Sequence, residues 1–208
     1  MSHTVHPSAT ATDGDALRAD ARPPDRRMPG LEGFWLFVLG DLAVFTVLFA
    51  AYLLARSDDV AGFTEAQGEL DVVLGGVNTV VLLTSSAAVV VALRHLRAGR
   101  VAAARGWTLV GLAGGVAFAV LKVLEYVRGW SDGHTPSAHD FFTYYLSLTG
   151  LHLGHVVAGC LLLALFAWRW RGLPDRVVPT SGFATVAVYW HVVDLLWLLI
   201  FPLIYVAR

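Results

Sequence analysis

The chain has 208 residues, of which 56% are hydrophobic and 15% charged, with a mean hydropathy of +0.62, a balance that excludes an ordinary soluble domain of this length. A formal net charge of -1 excludes nucleic acid as a main partner. The single cysteine, Cys160, excludes an internal disulfide and the thiolate clusters of zinc, iron-sulfur or dinuclear copper sites.

Residues 1–29 are rich in Ala, Asp, Arg, Pro and Thr without an apolar run, and read as a flexible polar tail in which His3 and His6 have no role. No cleavable signal peptide is expected, because no apolar h-region precedes the first full-length span. Crossing about 30 Å of hydrocarbon takes about 20 apolar residues. Five segments meet that length: roughly 33–55, 72–96, 106–127, 141–168 and 182–206. They predict an all-α integral membrane protein whose five transmembrane helices form one domain over 30–208; barrel strands would read as short alternating segments instead.

Basic residues set the expected orientation. Arg18, Arg22, Arg26 and Arg27, then Arg94, Arg97, Arg100 and Arg105, then Arg169, Arg171 and Arg176 fall on one side, against Arg56, Arg128 and Arg208 on the other. Eleven against three predicts the N-terminus inside and the C-terminus outside a bacterial-type plasma membrane. Trp35, Trp107, Trp168 and Trp170 would mark the inner interface, and Tyr52, Tyr126, Trp130, Tyr144 and Tyr205 the outer one.

Within the spans lie Asp41, Lys122, Glu125, His152, His155, His191 and Asp194. An ionised group at a helix centre costs about 2.5 to 3.5 kcal/mol on insertion scales, so these faces must avoid lipid. Lys122 with Glu125, His152 with His155, and His191 with Asp194 are i, i+3 pairs, each sharing a helix face. If spans one, four and five meet, Asp41, His152, His155, His191 and Asp194 form a buried polar cluster. Lys122 and Glu125, nearer the outer end, can satisfy each other. The pairs Gly111 with Gly115 and Gly150 with Gly154 have the small-xxx-small spacing that allows close helix approach. Asn78, Thr84, Ser85 and Ser86 read as packing partners, and Cys160 as a small core residue.

Tyr189-Trp190-His191-Val192-Val193-Asp194-Leu195-Leu196-Trp197, followed by Phe201 and Tyr205, resembles the last-helix signature of cytochrome c oxidase subunit III. Thr149-Gly150-Leu151-His152-Leu153-Gly154-His155-Val156 resembles the preceding helix, Glu125-Tyr126 the pair ending the helix before that, and Asn78-Thr79 the start of the second helix of short members. The family's membrane-embedded Glu would fall at Asp41, and the two extra N-terminal helices of long members are absent. Gly40-Asp41 and Asp140-Phe141-Phe142-Thr143-Tyr144-Tyr145 look closer to the branch accompanying nitric oxide reductases. The resemblance implies a five-helix, V-shaped bundle with phospholipid in its cleft, docked on the catalytic subunit I and beside subunit II. It implies no catalytic, cofactor-binding or metal-binding residue in this chain, haem and copper being held by the partner. Asp41, Glu125, His152, His155, His191 and Asp194 would then be structural, lipid-contacting or proton-related.

Other readings use the same residues differently. His152, His155, His191 and Asp194, with Asp41 or Glu125, can be written as the ligands of a membrane metalloenzyme. Buried carboxylates and histidines can serve an ion-coupled transporter, and two mid-depth histidines a bis-histidine haem. The chain itself cannot be subunit I, which needs more intramembrane histidines than the three well inside these spans.

Overall fold

A computed structural model describes residues 32–176 and 178–207, all of whose regular elements are helical. The polar tail expected over 1–29 lies outside the described residues, as do the arginines before the first span and Arg208. Helix α1 spans Glu32–Asp58, α2 Val60–Gly68, α3 Val72–Arg97, α4 Val101–Ser131, α5 Asp140–Arg169 and α6 Ser181–Phe201, which runs into a π turn over Pro202–Val206. Five of these are long and apolar enough to cross a membrane. The bundle is therefore the multi-pass helical protein that the hydropathy predicts.

Local chemistry sets the boundaries. The Asp59 carboxylate caps α2 by accepting from the Gly62 N–H at 3.0 Å, and Asp71 caps α3 by accepting from Leu74 N–H at 2.9 Å. Gly99 (φ 72°) and Gly133 (φ 87°) take the left-handed conformation needed to leave α3 and α4. Helix α4 starts and ends beyond the expected 106–127, and its 31 residues rise about 46 Å, more than the hydrocarbon thickness. Its N-terminal end is fastened to α5 by Arg105 Nε–H donating to the Ala167 carbonyl at 2.9 Å.

Helix α3 packs along α4, α4 on α5, and α6 closes the group against α3 and α5; α1 rests mainly on α5. Only 17% of the apolar window of α1 is buried, against 50% for the last span, which makes α1 the peripheral helix. The antiparallel run puts the α3–α4 turn and the α5–α6 connection at one end. Helix α2, the α4–α5 loop and the π turn share the other.

Glycines set the closest approaches. A Cβ at Gly111 would stand 2.9 Å from Val89 Cγ2, and one at Gly115 would stand 2.5 Å from Trp190 Cη2 and 2.7 Å from Cys160 Sγ. Gly159 of α5 faces the same indole, at 2.6 Å from Trp190 Cε3. Nothing lies within 4 Å of a Cβ at Gly150 or Gly154. The close approach expected there is thus not made among the described residues; α5 turns Tyr145, Thr149, Val156, Gly159 and Leu163 inward instead.

Candidate functional site

The embedded polar residues fall in four separate places. Nearest the α2 end, α4 carries Lys122 and Glu125, one helical turn apart and both buried. The Lys122 ammonium donates to Glu125 Oε2 at 3.2 Å, to the Tyr145 hydroxyl at 3.1 Å, and to the Tyr205 hydroxyl through a short contact. Each phenol passes a proton on: Tyr145 donates to Glu125 Oε1 at 2.8 Å, and Tyr205 donates to the same oxygen at 2.5 Å. Three ammonium protons meet three acceptors, and the carboxylate receives three donors, so the ion pair is complete without water. Four aromatic rings, those of Tyr126, Tyr145, Trp197 and Tyr205, lie 4.6 to 5.4 Å from the ammonium and add cation–π attraction.

One turn deeper, His152 has no exposed surface, and both of its ring nitrogens lack a hydrogen-bond partner among the described residues. It stacks on Trp197, with ring centroids 5.3 Å apart, and meets the edge of Phe118 at 5.6 Å. The Trp197 N–H donates to Thr79 Oγ1 of α3 at 2.9 Å, which fixes the indole that His152 lies on.

The third place joins α1 to α5. Asp41 Oδ1 and His155 Nε2 are 3.0 Å apart, and His155 Nδ1 lies 2.8 Å from the Leu151 carbonyl. A carbonyl only accepts, so Nδ1 carries a proton and the bond to Asp41 needs a second one, on Nε2 or on the carboxyl. The fourth place joins α3 to α6: Ser86 Oγ is 2.6 Å from His191 Nδ1, while Asp194 Oδ1 beside it is buried without a partner among the described residues.

These distances disperse the cluster expected from Asp41, His152, His155, His191 and Asp194. Spans one and five touch where the Phe37 and Tyr189 rings lie 6.4 Å apart and the Tyr52 hydroxyl donates to the Leu203 carbonyl at 3.4 Å, away from the cluster's side chains. Helix α1 rests mainly on α5, and the 60° between i and i+3 positions is enough to send His152 inward and His155 toward α1. Among the described residues, no three His, Cys, Asp or Glu side chains converge as a metal site would require. Two phenols were invisible as partners. Tyr205 and Tyr52, expected at the outer interface, are fully buried, and Trp170 at the other end is buried too, because rings near a helix end can turn inward as readily as toward headgroups.

Outside the bundle core, two histidines of the α4–α5 loop hold α2. His134 Nε2 is 2.9 Å from Glu69 Oε2, and His139 Nε2 is 3.2 Å from Asp59 Oδ2. His139 Nδ1 accepts from the Phe141 N–H, so its Nε2 bears the proton that it gives to Asp59. The Gly62 N–H, then this histidine, hold the Asp59 carboxyl below its ordinary range.

Residues 27–207 match the family model described as cytochrome c oxidase subunit III. Among curated relatives, the cytochrome c oxidase subunit 3 of a Synechocystis species is 34% identical, over 95% of this chain and 82% of its own length. Its counterpart in the Bacillus strain PS3 is 31% identical over 83% of each. A Staphylococcus aureus chain named as a quinol oxidase subunit 3 is 31% identical over 92% of this chain and 94% of its own. None of these three names mentions nitric oxide reduction, so the accessory branch suggested by Gly40-Asp41 gains no support from them.

Proposed function

We propose that this chain, which belongs to the cytochrome c oxidase subunit III family, serves as the non-redox third subunit of a haem-copper respiratory oxidase in a bacterial-type plasma membrane. The observation that carries the reading is the extent of the match: it runs through all five spans, including every embedded polar residue. The geometry agrees with a supporting role. Lys122, Glu125, Asp41 and His155 are engaged with one another or with neighbouring helices.

In this reading subunit I, with subunit II beside it, holds the haem and copper. The present chain docks against it, sustains proton uptake and protects the active site during turnover. Membrane lipid is its second partner. The outward apolar side chains of α1, Leu36, Leu39, Val47 and Leu54 among them, favour acyl chains, and so does a groove of about 590 Å³ between α4 and α5, walled by Leu112, Val116, Val120, Val157 and Leu161. The metalloenzyme alternative would need His152, His155, His191 and Asp194 to converge, and they face different helices.

Affinity capture of a tagged chain in mild detergent tests the proposal. It should bring down a larger subunit with a haem spectrum and oxygen-consuming activity. A clean, haem-free monomer would overturn it, and a captured complex that reduces nitric oxide would reassign the chain to the accessory branch.

A further inference from the structure

A cavity of about 160 Å³ opens at the α2 end between α3, α4 and α5, and Glu125 and Tyr145 form part of its wall. Its rim is polar: Glu69 and Asp71 on one side, Arg128, Asp132 and His134 on the other. At about 30 Å³ per water it holds roughly five molecules, and the carboxylate, phenol and charged rim supply the two or more partners that each water needs. We propose that this cavity is a water-filled inlet through which the buried Lys122–Glu125–Tyr145–Tyr205 cluster exchanges protons with the aqueous phase at the α2 end. The inference concerns the chain alone and does not depend on its subunit role.

The arrangement supplies the path and the balance. Each phenol lies between the ammonium and the carboxylate, accepting from one and donating to the other. When Tyr145 or Tyr205 gives its proton to Glu125 Oε1 and takes one from Lys122, the pair becomes amine and carboxylic acid with no net change in charge. Cavity water that removes the Glu125 proton and returns another completes the exchange. Tyr126, the other phenol of α4 here, is set apart: its hydroxyl donates to Thr149 Oγ1 at 2.8 Å, and Thr149 donates to the Tyr145 carbonyl. The exchange therefore runs through Glu125, the only member of the ion pair that reaches the cavity.

Radiolytic hydroxyl-radical footprinting of the captured complex tests the inlet, because radicals born in internal water oxidise the side chains beside it. Tyr145 and Tyr189 are matched controls, exposed to 6% and 7%, and only Tyr145 lines the cavity. Tyr145 should be oxidised several-fold faster than Tyr189, and Leu146→Trp, which narrows the cavity without touching the cluster, should bring the two rates together. If Leu146→Trp fails to assemble, Leu74→Phe closes the opposite wall. Equal rates in the unmodified complex would overturn the inlet. Exchange itself is read by infrared spectroscopy in D2O: the carboxylate band lost in Glu125→Gln should shift promptly, and more slowly in the plugged variant. A band indifferent to the plug would overturn the route.

Discussion

Lys122 and His152 are both fully shielded from solvent, and the fold accommodates them in opposite ways. Lys122 keeps three hydrogen bonds, a carboxylate and four rings. His152 keeps an aromatic stack and, among the described residues, no hydrogen bond. A buried ammonium escapes its charge only by giving up a proton, so each of its protons needs an acceptor; an imidazole can stay neutral and survive as a flat, weakly polar ring. Two polar residues at similar burial therefore carry different structural weight.

The contrast breaks most visibly at the ion pair. Lys122→Met should strand the Glu125 carboxylate and cost about 3 to 5 kcal/mol, read as loss of assembled complex or of thermal stability in detergent. Adding Glu125→Gln to it should recover part of the loss, and no recovery would mean that the cluster matters through packing alone. An intermediate effect is expected where only one bond is at stake. Asp41→Ala leaves His155 without its acceptor and should cost about 1 to 3 kcal/mol, whereas Asp41→Asn, whose amide can pair with either form of the ring, should cost less. The smallest effect belongs to His152→Phe: no hydrogen bond is lost and the stack on Trp197 is kept, so the melting temperature should stay within the scatter of neutral substitutions. A loss as large as that of Lys122→Met would reveal a polar partner for the imidazole and erase the contrast.

The spans were legible because an unbroken apolar run of membrane length has few alternative folds, and Lys122 with Glu125 was legible as a pair because both sit on one helix. Helix α2 was not, since nine residues between acidic caps carry neither the length nor the hydropathy of a span. Tyr145 and Tyr205 could not be assigned to the ion pair, because their approach depends on how α5 and the π turn pack on α4. The apparent cluster of histidines and aspartates failed for the same reason. Spacing along a helix fixes which residues share a side, while the neighbour on that side is fixed by packing, and here α5 turns His152 and His155, which the pattern placed together, to different neighbours. Gly150 and Gly154 show the limit of a motif: their spacing suits close approach, but no described helix faces them.

Trp190 has a consequence for how the molecule comes together. Its indole lies across Gly115 of α4 and Gly159 of α5, so the seat exists only after those two helices have met. Helix α6, made after both of these neighbours, thus works as a keystone, able to settle once they are paired and unable to do so before. A bulky residue introduced at either glycine would then leave a full set of inserted helices that never lock, and a protease would find the last of them first.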